Sequence, residues 1–216
     1  MALAYHKRLD AKTSFAIWRI EESAEDLYNQ LQLKEHETDF LSTLNNGKRN
    51  LHWLSTRALL RSMLNTDRYI DCLVDEHGKP YLANFPHHIS LSHSYDYAAV
   101  MISEDKPVGI DIELIKGKIE RVAKKFMSSA ELGFIDPSNR IEHLYICWCA
   151  KEAIYKLQGK RNVSFIDNIE LKPFGFSDNG RFEAALNLEG QTQTFQVDFE
   201  KFQNYMIGSV AGNSNE

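Results

Sequence analysis

Two apolar runs near the middle of the chain constrain its fold most strongly. They are YAAVMIS (97–103) and VGIDIEL (108–114), and only four residues separate them. Apolar runs of this length, bounded by a short turn, are typical of buried β-strands. The spacing predicts either a hairpin or two neighbouring strands, with a turn near Asp105–Pro107.

Helical patterns precede and follow this β-rich centre. Residues 24–45 predict one or two short helices that end at Asn46-Gly47, and residues 48–65 repeat apolar side chains at helical spacing. A second long helix is predicted from Arg140 to Leu157, because Gly159 is a typical residue just beyond a helix end. SFAIWRI (14–20) alternates like a strand.

The last fifty residues alternate again and contain four strand candidates: FIDNIEL, FEAALNL, TFQVDF and YMIGSV. The order is therefore helices then strands, twice over, without a repeat of 20–50 residues. We expect an α+β fold built as two halves, residues 1–104 and 105–216, packed into one unit.

Composition excludes several classes of protein. The 216 residues carry a formal net charge of −5, which argues against a broad nucleic-acid footprint. The apolar runs are too short to span a bilayer, and MALAYHKRLD lacks the apolar core of a signal peptide. The three cysteines have no zinc-site spacing and are expected to be buried thiols. We expect a cytoplasmic protein with no membrane partner.

Asp111 and Glu113 are the first candidates for chemistry. Side chains alternate along a strand, so these two carboxylates share one face, about 7 Å apart at Cα. Like charges so close need compensation, and a hard cation such as Mg²⁺ supplies it through oxygen ligands. Gly109 lies on the same face and could let a ligand approach closely. The alternative is an ordinary solvated strand face.

Glu152 and Lys156 interrupt the apolar stripe of the second long helix. They follow Trp148 in steps of four, where a structural helix would keep apolar residues. The alternative is a surface ion pair between residues i and i+4. Together with Asp111 and Glu113 they make a credible Mg²⁺-phosphate site, because Mg²⁺ is usually shared between carboxylates and substrate phosphates.

Hydrogen-bond donors for phosphate occur elsewhere in the chain. Ser92 and His93 are predicted to open a strand, and hydroxyl and imidazolium groups bind phosphate oxygens. No G-x-S-x-G motif accompanies them, so a Ser-His-Asp hydrolase is not supported. Arg49, Arg57 and Lys79 could form an anion pocket, although helix arginines are usually solvated.

These motifs together resemble 4′-phosphopantetheinyl transferases. The motifs are GKPYL (78–82), SLSHS (90–94), VGIDIE (108–113), FMSSAE (126–131) and WCAKEAIYK (148–156), in the family's order and spacing. The length is similar to the surfactin-synthetase-activating type. The resemblance implies two similar α+β halves related by a pseudo-two-fold axis, with coenzyme A (CoA) in the cleft between them.

The resemblance also implies roles for individual residues. Asp111, Glu113 and Glu152 match the metal carboxylates. Catalytic roles fall to Glu152, Lys156 and His93. The positions implied for binding CoA are Arg49, Arg57, Lys79, Pro80, Ser92, His93 and Lys156. Ile112, between the two strand carboxylates, offers no ligand, so a water is expected where some relatives use a side chain.

The implied reaction is transfer of 4′-phosphopantetheine from CoA to a serine of an apo acyl carrier protein or peptidyl carrier domain, with release of 3′,5′-ADP. Glu152 would accept the serine proton, directly or through a metal-bound water. A monomer is expected. Two rivals stay open: a metal-dependent nucleotide pyrophosphate hydrolase, and a non-catalytic protein that binds CoA or a carrier.

The carrier protein is typically acidic, so its docking surface should carry basic and apolar residues. The segment after Gly117 is a candidate, through Lys118, Arg121, Lys124, Lys125, Phe126 and Met127. The alternative is a solvated basic helix face.

Overall fold

The computed structural model describes residues 3–44 and 47–213. The helices are α1 (Ala24–Gln30), α2 (Glu35–Thr43), α3 (Lys48–Leu64), α4 (Ser129–Gly133) and α5 (Arg140–Gln158). The strands are β1 (Leu3–Arg8), β2 (Thr13–Arg19), β3 (Cys72–Val74), β4 (Pro80–Leu82), β5 (His88–Ser94), β6 (Tyr97–Ser103), β7 (Val108–Leu114), β8 (Ile169–Leu171), β9 (Asn179–Leu188), β10 (Gln191–Phe202) and β11 (Tyr205–Ala211). The predicted α+β class is confirmed.

Two antiparallel sheets form the body of the molecule. The first has the strand order β1-β2-β6-β5 and the second the order β7-β11-β10-β9-β8, while β3 and β4 form a small hairpin. Apolar side chains of β2 and β6 meet those of β7 and β11 in a core between the sheets. On the outer faces, α3 packs against the first sheet and α5 against the second.

The two central apolar runs do not form a hairpin. β6 pairs with β2 and β5, whereas β7 pairs with β11, so they lie in different sheets. Val108, Ile110 and Ile112 turn toward the core between the sheets and are fully buried there. Burying that face against the first sheet requires β7 to leave the plane of β6, which explains why the short connection does not make a hairpin.

Three serines join β5 to the free edge of β7. The hydroxyls of Ser90, Ser92 and Ser94 accept hydrogen bonds from the backbone N–H groups of residues 110, 112 and 114, at 3.0, 3.3 and 3.1 Å. Side chains two residues apart share one face of a strand, so alternate serines of SLSHS reach the same neighbour. This serine ladder satisfies edge donors that would otherwise be buried without partners. Ser92 and His93 lie within the last three residues of β5, so the prediction that they open a strand is wrong.

Glycines bring α5 close to the second sheet. A side chain at Gly109 would overlap the carbonyl of Ala153, and one at Gly208 would lie 2.7 Å from the carbonyl carbon of Cys149. The close approach at Gly109 is therefore made by a helix of the chain itself, not by the ligand that the sequence suggested. Its effect is to hold α5 directly over the carboxylates of β7.

The helix predictions agree closely with the structure. α5 ends one residue beyond the predicted Leu157, and Gly159 follows in the left-handed region with φ 76°. α3 begins at Lys48, immediately after Gly47. Asn46, the other residue of the predicted break, lies outside the described residues. The predicted boundary near residue 104 falls between β6 and β7 and, like the pseudo-two-fold relation of the halves, stays a prediction.

All three cysteines are buried and free, as expected. Across the described ranges, every helix is too short or too polar to cross a bilayer.

Candidate active site

Asp111 and Lys156 are the centre of the candidate site. The Lys156 Nζ lies 2.7 Å from Asp111 Oδ1 and also donates to Ser92 Oγ at 2.9 Å and to the Ile110 carbonyl at 3.1 Å. Asp111 is 5% exposed, so its charge needs this partner. The predicted convergence of β7 and α5 is therefore seen in the structure, and all three ammonium donors are in use.

Ser92 orients this pair. Its hydroxyl donates to Asp111 Oδ1 at 2.8 Å while accepting from Lys156 and from the backbone of Ile112. A hydroxyl has one hydrogen and two lone pairs, so its capacity is filled. In this arrangement Ser92 holds Asp111 in place and has no hydrogen left to offer a phosphate.

Glu113 and Glu152 complete a cluster of three carboxylates. Ser94 donates to Glu113 at 2.9 Å. Burial raises the pKa of Glu152 to about 7; Asp111 and Glu113 add to that rise, whereas Lys156 opposes it. Burial, followed by the charge of Asp111, also raises the pKa of Glu113. The cluster is thus short of positive charge even with Lys156 present.

The carboxylates fit a hard cation in their chemistry. Asp111 Oδ2 is buried and has no hydrogen-bond partner among the described residues, and carboxylate oxygens are the ligands that Mg²⁺ prefers. Within residues 3–44 and 47–213, however, no three His, Cys, Asp or Glu side chains are arranged to hold a metal. Lys156 contacts Asp111 and Ser94 donates to Glu113 in this structure.

His93 lies beside this cluster at the end of β5. Desolvation, followed by the charges of His52 and Lys156, lowers the pKa of His93 to about 4, against the opposing effect of Asp111. The imidazole is therefore neutral near pH 7, in contrast to the imidazolium considered from the sequence. Its ring still reaches solvent and can donate one hydrogen bond.

The GKP turn faces the site from the other side. Lys79 and Pro80 line a cavity of about 90 Å³ together with Lys156 and Gly159. The Lys79 Nζ donates to the carbonyl of Leu157, at the C-terminal end of α5. Burial lowers the pKa of Lys79. In the structure Lys79 therefore caps α5, a contact that the sequence did not reveal.

The two arginines predicted to bind CoA lie in different surroundings. Arg49 is exposed on the first turn of α3. The Arg57 guanidinium lies 4.0 Å from the ring centroid of Trp53 and donates to Thr56 at 3.2 Å. Its Nε is buried without a hydrogen-bond partner in the described part of the chain. Within the described residues, neither arginine makes a hydrogen bond or an ion pair with the carboxylate cluster.

The predicted docking segment is two short 3₁₀ turns, Gly117–Arg121 and Ala123–Lys125, instead of a long helix face. Its basic side chains Lys118, Arg121, Lys124 and Lys125 are exposed. Phe126 and Met127 are 1% and 2% exposed and belong to the core beneath α5, so including them in a docking surface was wrong.

Lys151 was not singled out from the sequence, although it lies inside the WCAKEAIYK motif. It is fully buried, and its Nζ contacts Glu131 and the carbonyls of Phe165 and Ile169 at 2.7–2.9 Å. Glu131 also accepts the N–H groups of Ser128 and Leu171. A lysine among apolar helix neighbours was the available signal, and its role is to anchor α5 to the loops around it.

Comparison with known proteins decides between families that share such a cluster. Residues 107–210, which hold Asp111, Glu113, Glu152 and Lys156, match the model of the 4′-phosphopantetheinyl transferase superfamily. This segment belongs to that superfamily. The resemblance recognised from the sequence motifs is thereby confirmed.

Individual 4′-phosphopantetheinyl transferases are also similar to the chain. It is 40% identical over 127 residues to psf-1 of Bacillus pumilus, covering 57% of this chain and 48% of psf-1. It is 33% identical over 119 residues to AcpT of Escherichia coli (strain K12), covering 52% and 60%. It is 30% identical over 111 residues to Sfp of Bacillus subtilis (strain 168), covering 47% and 49%. The matches span about half to three fifths of each relative.

Proposed function

We propose that this protein transfers 4′-phosphopantetheine from CoA to a serine of an apo acyl or peptidyl carrier protein and releases 3′,5′-ADP. The observation that carries the proposal is the meeting of Asp111, Glu152 and Lys156 between β7 and α5, within the segment that matches the superfamily. The names of psf-1, AcpT and Sfp support the same reaction class.

Asp111, Glu113 and Glu152 would hold a divalent metal, Mg²⁺ by the preference of carboxylate oxygens. A bound Mg²⁺ would supply positive charge that neutralises the CoA pyrophosphate during the transfer. The partnerless oxygen of Asp111 and the raised pKa values of both glutamates support this assignment.

Lys156 and Glu152 have separate tasks in the transfer. Lys156, released from Asp111, stabilises charge on the pyrophosphate as a fixed cation. Glu152 accepts the proton of the carrier serine as a general base. His93, neutral and partly exposed, donates a hydrogen bond to a phosphate oxygen.

The nucleotide end of CoA lies toward the GKP turn in this proposal. Lys79 and Pro80 share a cavity with Lys156, which supports a position next to the pyrophosphate. Arg57 and Arg49 would reach the 3′-phosphate from α3. Ser92 acts by orienting Asp111, since its own hydroxyl is fully engaged.

The carrier protein would approach from the side of Glu113. A groove of about 330 Å³ opens there, lined by Glu113, Trp148, Ile119 and Val122, with Lys118 and Arg121 at its rim. Basic side chains beside apolar ones suit an acidic partner with an apolar contact, although the whole chain is acidic. A cytoplasmic monomer is part of the proposal.

Intact-mass analysis tests the proposal. The protein is incubated with CoA, Mg²⁺ and an apo carrier protein, and the carrier should gain one phosphopantetheine while 3′,5′-ADP appears. A carrier with its acceptor serine replaced by alanine is the control and should gain nothing. Rapid CoA cleavage without a carrier would favour the pyrophosphate hydrolase, and CoA binding without any turnover would favour the non-catalytic protein.

A further inference from the structure

His52 on α3 is buried next to the candidate site and has no role in the mechanism above. Its Nε2 lies 2.8 Å from the carbonyl oxygen of Tyr95. A carbonyl only accepts hydrogen bonds, so Nε2 carries the hydrogen and the tautomer is fixed. The side chain is 9% exposed, and α3 holds it rigidly against the β5–β6 turn.

The ring of His52 stacks on the ring of His93. The centroids are 4.3 Å apart and the planes differ by 21°. One face of His93 is therefore covered by a ring whose own orientation is fixed by a hydrogen bond, while another part of His93 stays exposed. A solvent-facing side chain without such a support would sample several rotamers, each of which must be given up on binding.

The turn between β5 and β6 needs the same support. Tyr95 adopts φ 52°, in the left-handed region that residues other than glycine rarely occupy. The hydrogen bond from His52 reaches the carbonyl of this strained residue, two positions after His93. One buried side chain thus fixes both the ring plane of His93 and the turn that follows it.

We propose that His52 is a positioning residue for CoA binding: it holds the His93 ring, by stacking, in the orientation that receives a phosphate oxygen. The inference rests on the proposed function, because His93 must contact CoA for its orientation to matter. It differs from a purely structural role, in which His52 would only fill space between α3 and β5.

Two substitutions separate the stack from the hydrogen bond. His52→Phe keeps a flat ring against His93 and loses the donor, whereas His52→Gln keeps an N–H donor and loses the ring. Both are combined with His93→Ala in double-mutant cycles. His143→Gln is the matched control, because His143 is also buried on a long helix but packs among Phe134, Phe174 and Phe176, outside the carboxylate cluster.

Calorimetric titration with CoA gives the dissociation constant, and transfer assays give KM and kcat separately. His52→Gln should weaken CoA binding about three- to tenfold, the factor that corresponds to the coupling of an aromatic pair. KM should rise with little change in kcat. His52→Phe should weaken CoA binding less than His52→Gln does, because the stacked ring remains although its hydrogen bond to Tyr95 is lost. In the His93→Ala background, His52→Gln should have no further effect on CoA binding, because the ring that His52 orients is absent.

Unchanged CoA affinity in His52→Gln, an equal loss in His52→Phe, or additive losses in the double variant would each overturn the inference. A loss matched by His143→Gln would assign the effect to general destabilisation and also overturn it. A wild type that does not bind CoA is a different result, since it contradicts the proposed function itself.

Discussion

Replacing Glu152 by glutamine should stabilise the metal-free fold while removing transfer. Burial and the charge of Asp111 raise the pKa of Glu152 from 4.5 to about 7. The folded protein therefore carries an unfavourable charge at pH 8 that the unfolded chain places in water. Glutamine has nearly the same shape and no charge, so the variant avoids the free-energy cost of burying this charge.

The magnitude follows from proton linkage. Each pH unit between the two pKa values corresponds to about 1.4 kcal/mol, so the difference between 4.5 and about 7 gives an upper limit of about 3 kcal/mol. Glu152 is only half-buried, and solvent reduces the effect, so we expect about 2 kcal/mol. For a chain of 216 residues this raises Tm by about 4–8 °C.

The stability of the wild type should decrease between pH 4.5 and 7, and that of Glu152→Gln should not. Between pH 4.5 and 7 the folded state holds a proton that the unfolded chain has already released, so stability of the wild type falls as pH rises. The stability of Glu152→Gln should not show this fall with pH, because glutamine does not titrate. The two proteins should have similar stability near pH 4 and should differ fully above pH 7. Thermal unfolding in EDTA across this range measures the difference.

In the presence of Mg²⁺, the wild type should become more stable than Glu152→Gln. A metal that binds only the folded state raises its stability by mass action, and the wild type keeps the third carboxylate. Glu142→Gln is the control on the same helix, because Glu142 makes only a 3.9 Å ion pair with Lys201 and should shift stability by less than about 0.5 kcal/mol. If Glu152→Gln is no more stable than the wild type in EDTA at pH 8, the electrostatic reasoning is refuted.

Three further substitutions test the scaffold and the chemistry. Gly109→Ala should cost roughly 3 kcal/mol or prevent folding, because the new methyl overlaps the Ala153 carbonyl; an unchanged urea midpoint would contradict the close packing of α5. Lys151→Met should destabilise by about 3–5 kcal/mol, since it leaves Glu131 buried without its cation, and urea unfolding measures this. Lys156→Ala should reduce kcat about 100-fold or more with a small change in Tm; near-normal kcat would exclude it as the charge-stabilising group.

Local patterns in the sequence were enough to predict several elements. The spacing of apolar residues and Gly159 define α5, because helix period and a left-handed terminal glycine are properties of neighbouring residues. The alternation of VGIDIE likewise places Asp111 and Glu113 on one face, opposite Ile112. The four C-terminal strand candidates are also confirmed, although FIDNIEL is extended only at Ile169–Leu171.

The rest depends on contacts between distant residues. β7 takes β11 as its partner from almost a hundred residues away, and no local pattern distinguishes that partner from β6. From the sequence alone, Gly109 is equally compatible with close approach of a helix or of a ligand, because both require only that the position lacks a side chain. Lys79 could be recognised as a cation but not as the cap of α5, because its acceptor, Leu157, lies in the other half of the chain.

The serine ladder also bears on solubility. Among the described residues, no strand pairs through its backbone with the outer edge of β7, yet the N–H groups at residues 110, 112 and 114 are occupied by hydroxyls from β5. Exposed strand edges recruit other chains into intermolecular sheets, so the ladder protects the protein from aggregation. Expressed alone, residues 105–216 would lose that cover along with their apolar partner face. We therefore expect residues 105–216, when expressed alone, to aggregate.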